Sequence, residues 1–537
     1  MVGKSSRRFL FPALTGLLLT AFAVTVKVAD VPVLTDLDQR LEWLAYDLRL
    51  RLFISGDIEL DPRIVIIDID EKSLRQEGRW PWSRATIAKL TDRVFEHGAL
   101  ILAMDVVYAE EFRSPVEDWL DFVDDETRDA LLEKIPLEKL FKSQDQVLAE
   151  SFIDRDVVMG FTFTNDTGPP KGQLPEPLPF PEEFTDQLII PEIGSYVANI
   201  GLLQESASGG GFFSIIPDAD GVIRRAPMLM QHEGQIYGAL ALEVSQLYMQ
   251  TQQLELRTAP IGDYQALESL SLDGFLDIPV DGAGNALIPY RGPAGSFHYI
   301  SAADVLNGEV PGELLQSAIA LFGTTAVGIY DMRSTPVESV YPGVEVHANL
   351  IAGILDGSFP TIPSWALGAN VGLLILIGVV SVLLVPFIST LVILLLSLLS
   401  MVMVIALNLW LWDTHGVVLS IVAPLVLIAL IGTSDLAYGF LTEARGRRQL
   451  KAVFGQYVPP EIVDEMNQNP DGNFSVEGES RELSVLFCDI RSFTTISESL
   501  AADELKQLLN QFFTPMTRII FERRGTIDKY VGDMIMA

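Results

Sequence analysis

The sequence predicts a multidomain membrane protein that combines an α/β domain, a helical transmembrane bundle and the beginning of a ferredoxin-like α+β unit. Three observations support this fold class. The 537 residues are 49% apolar with a mean hydropathy of +0.31. Residues 365–440 are almost free of charge, and elsewhere short apolar runs alternate with helical patterns. A chain of this length has room for about three or four domains.

The charge balance and the cysteine count exclude several kinds of partner and site. The formal net charge is −34, so nucleic acid is not expected as a partner. The single cysteine, Cys488, excludes an internal disulfide. An exported region must therefore be stabilised by its hydrophobic core alone, and residues 30–363 provide enough chain for one.

Residues 1–29 are expected to form an N-terminal transmembrane anchor. Basic residues at Lys4, Arg7 and Arg8 precede the uncharged run from Phe9 to Val26, which is just long enough to cross a bilayer. The basic flank keeps the N-terminus cytoplasmic. A cleaved signal peptide is the alternative, because Ala21-Phe22-Ala23 resembles a cleavage site. Both interpretations place the following residues outside the cytoplasm.

Residues 30–363 are expected to form an α/β domain whose sheet is covered on both faces. Its predicted strands are wholly apolar, as in buried parallel sheets. They are Ile64–Ile69, Leu100–Val107, Val157–Phe163 and Ala318–Phe322. The first two, with helix Ile87–Phe95 between them, are predicted to be parallel neighbours joined by a right-handed crossover. Leu37–Phe53 is predicted to be an amphipathic helix, and the proline-rich segment Pro169–Pro181 a surface loop.

This region resembles the CHASE2 extracytoplasmic sensor domain over nearly its whole length. The likeness is carried by Ile67-Asp68-Ile69-Asp70-Glu71-Lys72-Ser73-Leu74, Gly78-Arg79-Trp80-Pro81-Trp82-Ser83-Arg84, Pro217-Asp218-Ala219-Asp220-Gly221-Val222-Ile223-Arg224-Arg225 and Pro342-Gly343-Val344-Glu345-Val346-His347-Ala348-Asn349. The resemblance implies an extracytoplasmic receiver of signals with an unknown ligand.

Two candidate sites lie in the sensor region. A ligand pocket at the strand ends would be formed by Asp68, Asp70, Arg84, Asp105 and His347, since open α/β sheets bind ligands there; a structural role is the alternative for His347. The segment 218–221 copies the opening of a calcium loop, but no glutamate follows at the twelfth position. A turn is therefore the preferred interpretation of that segment.

Residues 364–442 are expected to contain three transmembrane helices, at about 365–385, 388–411 and 417–441. Pro386-Phe387 and 413–416 mark the turns between them. With the N-terminal anchor this makes four spans, so both termini lie in the cytoplasm. Basic residues at Arg445, Arg447, Arg448 and Lys451 agree with that orientation. The expected location is the cell (inner) membrane. Residues 443–480 are expected to be a coupling helix and linker, with a new helix beginning at Tyr457-Val458-Pro459.

The final stretch, 481–537, has a strand–helix–hairpin pattern. Leu483–Cys488 is a strand-like apolar run, Glu504–Phe521 has helical spacing, and Gly532-Asp533 is a hairpin signal. Asp489 and Asp533 then follow a strand end and sit at a hairpin tip, where their carboxylates can converge on a Mg²⁺ ion. The alternative is that both aspartates are turn residues without a ligand.

The same stretch resembles the N-terminal half of the catalytic domain of class III adenylate/guanylate cyclases. The matching residues are Phe487-x-Asp489-Ile490-x-x-Phe493-Thr494, Ser497-Glu498, Leu509-Asn510 and Lys529-Tyr530-Val531-Gly532-Asp533-x-Ile535-Met536-Ala537. The resemblance implies that Asp489 and Asp533 are catalytic and hold two Mg²⁺ or Mn²⁺ ions, with the carbonyl of Ile490 as a further ligand. It implies that Lys529 binds the adenine ring of ATP.

The resulting expectation is a membrane-bound receptor adenylate cyclase that converts ATP to cyclic AMP and pyrophosphate for signal transduction. The resemblance implies a homodimer, because each catalytic site of the family uses two domains. The family's remaining catalytic residues would follow Ala537, so the sequence is expected to be a fragment that is inactive by itself. The alternative is a non-catalytic membrane sensor or dimerisation scaffold.

Overall fold

A computed structural model describes most of the chain. The described residues are 5–29, 31–54, 60–112, 119, 122–134, 143–165, 168–251, 253–261, 264–326, 332–384, 388–454, 480 and 482–537. The predicted turn at Pro386-Phe387, the predicted helix beginning at Tyr457 and most of the linker 455–480 lie outside them. The fold divides into two compact units. One contains Thr20–Gly378 and Leu399–Ile428, and the other Met1–Leu19, Val379–Leu398 and Ala429–Ala537.

The helices among the described residues include those predicted at Leu37–Phe53, Ile87–Phe95 and Glu504–Phe521. They are α1 (Ser5–Val28), α2 (Pro32–Phe53), α3 (Glu71–Glu77), α4 (Arg84–Glu96), α5 (Asp125–Lys134), α6 (Gln144–Glu150), α7 (Glu182–Thr185), α8 (Gly201–Ser206), α9 (Leu240–Met249), α10 (Ala302–Asn307), α11 (Gly343–Asp356), α12 (Ala366–Leu384), α13 (Thr390–His415), α14 (Val422–Phe454), α15 (Phe493–Glu498) and α16 (Ala502–Glu522).

The described strands are mostly short. They are β1 (Ile64–Ile69), β2 (Ile101–Met104), β3 (Asp156–Thr164), β4 (Ser195–Val197), β5 (Gly209–Phe212), β6 (Arg225–Pro227), β7 (Leu229–His232), β8 (Gln235–Gly238), β9 (Leu254–Ile261), β10 (Tyr264–Leu272), β11 (Leu276–Pro279), β12 (Asn285–Leu287), β13 (His298–Ser301), β14 (Ile319–Thr324), β15 (Met332–Arg333), β16 (Tyr341–Pro342), β17 (Phe487–Cys488), β18 (Lys529–Val531) and β19 (Met534–Met536).

The larger unit is built on a seven-stranded sheet with the order β13-β1-β14-β2-β3-β4, to which β5 adds beside β3. All pairs are parallel except β3 with β4. The prediction that β1 and β2 are neighbours is wrong, because β14 lies between them and pairs with both. Every residue of Ile319–Phe322 is fully buried, so this late strand gains most by taking the central position.

Both faces of this sheet are buried, as the apolar strands predicted. Successive side chains of a strand point to opposite faces. Ile64 and Ile66 pack into the core on one face, and Val65, Ile67 and Ile69 into the core on the other. All five are fully buried. The unbroken apolar run of β1 is therefore the direct consequence of helical or loop cover on both sides of the sheet.

Smaller sheets and a buried carboxylate complete this unit. The antiparallel sheet β11-β10-β9 and the hairpin β7–β8 flank the main sheet. Glu345, at the start of α11, is fully buried and accepts hydrogen bonds from the amides of Gly295 and Ser296 and from the Tyr299 hydroxyl. A buried carboxylate is costly unless it is hydrogen-bonded. These bonds satisfy Glu345 and connect α11 to β13 and the segment before it.

The amphipathic helix predicted at Leu37–Phe53 is present within α2, but its leucine stripe is not buried. Leu44, Leu48 and Leu52 are each more than 60% exposed, whereas Tyr46, Arg49 and Leu50 are buried. The Arg49 guanidinium hydrogen-bonds Asn408 and lies over the ring of Trp412. The buried face of α2 is therefore formed by Tyr46, Arg49 and Leu50 and not by the predicted leucine stripe.

Among the described residues, four helices are long and apolar enough to cross a membrane, in agreement with the predicted number. They include Phe11–Val28, Ala366–Leu384, Leu391–His415 and Val422–Thr442. Helix α14 continues without a break to Phe454, which confirms the predicted helical extension of the last span. Asp435 in this span is 5% exposed, and its Oδ2 has no hydrogen-bond partner among the described residues.

His347 makes the stability of this unit depend on pH. Its ring is 4% exposed in α11, and Nδ1 has no partner among the described residues. Burial, with a smaller effect of Arg333, lowers the pKa of His347 to about 4. In the unfolded chain the His347 imidazole is protonated below about pH 6.5, whereas in the folded chain it stays neutral until about pH 4. Folding stability is therefore lost as the pH falls from about 6.5 to 4.

We predict that His347→Leu removes this pH dependence. The wild type should lose a few kcal/mol more than the variant between pH 7 and pH 4.5. The measurement is the midpoint of thermal unfolding, followed by tryptophan fluorescence at several pH values. His97→Gln, which removes a half-buried imidazole, is the matched control. Parallel curves for the wild type and His347→Leu would contradict the assignment.

Candidate functional site

The C-terminal residues form a split strand–helix–hairpin unit. Strands β17, β19 and β18 make an antiparallel sheet in that order, and α16 lies between β17 and β18 in the chain. The predicted pairing of the first strand with the hairpin is confirmed by Phe487 opposite Met536 and Cys488 opposite Ile535. This is the strand order with which a ferredoxin-like fold begins.

A small core holds α16 against the three strands. Ile520, Ile527 and Ile535 are buried together. Phe512 and Met516 of α16 pack against them, whereas Ile519 is 52% exposed. The positions of the loop residues therefore rest on a few apolar contacts.

The hairpin tip brings Asp533 to the end of the first strand. Val531 pairs with Met534, so Gly532 and Asp533 form a two-residue loop. Gly532 has φ +63°, a value that favours glycine at the first position of such a loop. Asp533 Oδ2 accepts a hydrogen bond of 3.2 Å from the amide of Ile490. The hairpin loop that carries Asp533 is thus in direct contact with the segment after β17 that carries Asp489 and Ile490.

Asp489 lies beside this contact. It follows Cys488, the last residue of β17, and precedes Ile490 in the chain. Its side chain is exposed, and that of Asp533 is half-buried. The two carboxylates and the backbone carbonyl of Ile490 are all oxygen donors, the type that Mg²⁺ prefers. Among the described residues no group of three or more His, Cys, Asp or Glu side chains has the arrangement of a metal site.

Lys529 begins β18, the first strand of the hairpin, and its side chain is exposed. Its Nζ lies 3.5 Å from Asp528 Oδ2, and both side chains are 60% exposed. The neighbouring Tyr530 is tied to α16 by a 2.8 Å hydrogen bond between its hydroxyl and that of Thr517. The lysine ammonium is therefore free to reach a ligand while the strand that carries it is held in place.

Three of the strand-end residues proposed for a ligand pocket hydrogen-bond to residues outside that set. Asp68 is bonded to the amide and hydroxyl of Thr325 at 2.8 and 2.5 Å, and burial raises its pKa to about 6. Asp70 caps α3 through the amide of Ser73. The Arg84 guanidinium pairs with Asp145 at 2.9 Å.

For the remaining two residues proposed for that pocket, the structure describes a backbone contact of Asp105 and the burial of His347. The amide of Asp105 donates to the Phe322 carbonyl. His347 is buried, as a structural histidine would be, but lacks a partner for Nδ1 in the described part of the chain. The sequence could locate these residues at strand ends but could not identify their partners, which come from distant segments.

The preferred interpretation of residues 218–221 as a turn is confirmed. The Gly221 amide donates to the Asp218 carbonyl at 2.8 Å, and Gly221 has φ +82°. The carboxylates of Asp218 and Asp220 pair with Arg224, which also binds Asp47 of α2. Both carboxylates are therefore engaged by Arg224, and that of Asp218 also pairs with Arg225.

Sequence reasoning missed a cleft on the larger unit. Part of the proline-rich segment predicted as a surface loop forms one wall, and the glycines of β5 form another. Three consecutive glycines, Gly209-Gly210-Gly211, were the available signal, because glycine within a strand often marks close approach of another group.

Comparison with known families identifies the larger unit. The CHASE2 domain matches residues 17–385, more than half of the chain. The chain belongs to the CHASE2 domain family. The match extends beyond the predicted sensor boundaries into the flanking hydrophobic helices. No solved structure matches the chain.

Several curated relatives of this CHASE2 protein are named adenylate cyclases. An adenylate cyclase of Anabaena cylindrica is 38% identical over 85 residues, which cover 16% of this chain and 17% of the relative. Adenylate cyclase 1 of Rhizobium meliloti is 33% identical over 85 residues, or 16% of this chain and 12% of the relative. The terminal-differentiation specific adenylate cyclase of Dictyostelium discoideum is 30% identical over 93 residues, or 17% and 4%. The chain thus spans less than a fifth of the length of these relatives.

Proposed function

We propose that this protein is a membrane-bound receptor adenylate cyclase, in which an exported CHASE2 domain controls conversion of ATP to cyclic AMP and pyrophosphate. The observation that carries the proposal is the hydrogen bond between Asp533 Oδ2 and the Ile490 amide, which brings Asp533 beside Asp489. The similarity to adenylate cyclases of Anabaena and Rhizobium supports the same activity.

The proposed metal ligands are Asp489, Asp533 and the carbonyl of Ile490. Bound Mg²⁺ or Mn²⁺, two ions per site, would neutralise the triphosphate and favour ionisation of the ribose 3′-hydroxyl. The protein's part is to hold the carboxylates at one edge of the sheet. The Ile490 amide positions Asp533, and the end of β17 positions Asp489.

Lys529 is the proposed adenine-binding residue. It lies in β18, opposite Met536 of β19, and its side chain is exposed. An ammonium group donates hydrogen bonds and accepts none, so it can pair with the acceptor N1 of adenine. The same position would be unfavourable for the N1–H donor of guanine, which supports ATP as the substrate.

The proposed assembly is a homodimer. The three-stranded sheet leaves Leu483, Phe487 and Val531 at least half exposed. Burial of such apolar side chains against a second catalytic domain would be favourable. This is consistent with a site that uses residues from two domains.

The proposed location is the cell (inner) membrane, with the CHASE2 domain outside and the C-terminal unit in the cytoplasm. Four candidate spans with basic residues after the last one support this orientation. We retain the domain boundaries 1–29, 30–363, 364–442, 443–480 and 481–537 as part of the proposal.

We predict that Asp489→Asn or Asp533→Asn abolishes Mg²⁺- or Mn²⁺-dependent cyclic AMP formation by the full gene product. Asparagine keeps an oxygen that can accept from the Ile490 amide but loses the charge that a cation requires. The assay is cyclic AMP release by membranes containing each variant. Asp503→Asn, at an exposed position in the first turn of α16, is the control. Membrane insertion and dimerisation should be unchanged, and full activity of both variants would contradict the assignment of Asp489 and Asp533 as metal ligands.

We predict that Lys529→Glu shifts the substrate preference from ATP toward GTP. A carboxylate accepts hydrogen bonds from the guanine N–H groups, where lysine donates to adenine. The ratio of kcat/KM for the two nucleotides is the measurement. Asp528→Asn changes the neighbouring charge and serves as the control. An unchanged ratio in Lys529→Glu would contradict the adenine assignment without affecting the metal site.

We predict that a reporter fused after Lys451 is cytosolic, whereas one inserted at the exposed turn Asp273-Gly274 between β10 and β11 is exported. The reason is the excess of basic residues after the last span. Paired alkaline phosphatase and fluorescent protein fusions provide the measurement. The opposite pattern would refute the proposed orientation.

A further inference from the structure

An open cleft of about 1020 Å³ lies at one edge of the main sheet of the CHASE2 domain. Its walls are the proline-rich segment 173–179, the start of β5, the hairpin β7–β8 and the first turn of α9. The Leu178 amide donates to the Ile236 carbonyl at 2.8 Å and so fastens the proline-rich wall to the hairpin. The volume is that of a site for a small molecule.

The cleft is lined by acids without a compensating base. No lysine or arginine occurs among the described residues that line it. The acidic residues of the lining are Glu176, Glu205, Glu233 and Glu243. Together with a chain charge of −34, this lining produces a negative potential that attracts cations and repels anions.

Among the four acidic residues that line the cleft, Glu243 is the least exposed to solvent. It lies between this cleft and an adjoining cavity of about 390 Å³. Burial raises the pKa of Glu243 to about 7. No hydrogen bond or ion pair to its carboxylate occurs among the described residues. A carboxylate in such surroundings is stabilised when a positive group binds next to it.

Gln204 adds an independent observation. Its side chain is 6% exposed and lines the cleft, and the buried Oε1 has no hydrogen-bond partner among the described residues. A buried acceptor without a donor is costly, and such groups usually have an explanation in function or in bound ligand. Gln204 Oε1 is an acceptor, so a ligand that satisfies it must supply a hydrogen-bond donor.

The aromatic lining is compatible with a cation. The rings of Tyr196 and His232 meet edge to face at 5.2 Å, and Tyr237 lines the same cleft. His232 Nδ1 is already engaged with the Ile193 carbonyl at 2.7 Å. Aromatic rings attract cations over their faces, so this part of the lining complements the carboxylates.

We propose that this cleft is a ligand site of the CHASE2 domain and binds a small organic cation with at least two protonated nitrogen donors. Gln204 Oε1 and Glu243 would accept from one end of the ligand, and the outer glutamates from the other. The described residues include no cluster of three or more metal-ligating side chains here, which favours an organic cation over a metal ion. The proposal goes beyond the adenylate cyclase function, because it rests on sensor residues alone.

The test compares three probes of similar length and different charge. Putrescine carries two ammonium groups, 1,4-butanediol carries none, and succinate carries two carboxylates. Binding to the full chain in lipid nanodiscs is measured by isothermal titration calorimetry at pH 7.5. Putrescine should bind in a saturable manner to one site per chain. Butanediol should bind at least about tenfold more weakly, and succinate should not bind.

Two variants test the assigned acceptors. Glu243→Gln removes one charge with little change in shape and should weaken putrescine binding roughly tenfold or more. Gln204→Leu removes the unpaired acceptor and should also weaken it. Glu268→Gln, at an exposed position of β10 outside the cleft, is the matched control and should bind as the wild type does.

A steric variant tests the cleft without changing its charge. No atom lies within 4 Å of the position that a Cβ would occupy at Gly209, which lines both cavities. Gly209→Leu can therefore be accommodated, and its side chain should project into the cleft and weaken putrescine binding. Unfolding midpoints establish that each variant is folded.

Three results would overturn the proposal. One is equal affinity for putrescine and butanediol, which would remove the role of charge. Another is equal weakening by Glu243→Gln and Glu268→Gln, which would indicate attraction to the acidic surface as a whole. The third is competition of putrescine by micromolar Ca²⁺ or Mg²⁺, which would identify a metal site. Cyclase activity is not part of the measurement, so failure here leaves the proposed enzyme function untouched.

Discussion

The burial of the central strands β1 and β14 on both faces is the constraint on which the CHASE2 domain depends. Residues Ile64–Ile67 and Ile319–Phe322 are fully buried, and they pair with each other in parallel. Their apolar area supplies the main favourable contribution to folding. Because two segments about 250 residues apart must meet for this burial, the domain can form only as one cooperative unit.

Polar groups near this core are satisfied by partners from distant segments. Arg224 forms ion pairs with Asp47, Asp218 and Asp220. Glu345 accepts hydrogen bonds from backbone amides of the segment before β13. Groups withdrawn from water need such partners. Gln204 Oε1 and His347 Nδ1 are among the atoms that depart from this pattern in the described part of the domain, and Gln204 borders the same cleft as Glu243.

The CHASE2 domain and the C-terminal unit differ in the size of their hydrophobic cores. The sensor rests on a two-faced core, whereas the C-terminal unit rests on a small cluster around Ile520, Ile527 and Ile535. The geometry of Asp533 is nevertheless determined locally, by a two-residue hairpin loop and one bond to the Ile490 amide. Local turn geometry can position a carboxylate without a large core around it.

The sequence alone determined the α/β class, the number of membrane-spanning helices and the convergence of the loops that carry Asp489 and Asp533. These features follow from period, length and turn chemistry, all of which are local. Only the tertiary structure decided that β14 lies between β1 and β2, that the leucines of α2 remain exposed, and that Asp68, Arg84 and Asp218 have separate partners. It also decided that the proline-rich segment forms the wall of a cleft. The physical reason is that strand order, burial and charge pairing depend on which distant segments meet, and local patterns do not carry that information.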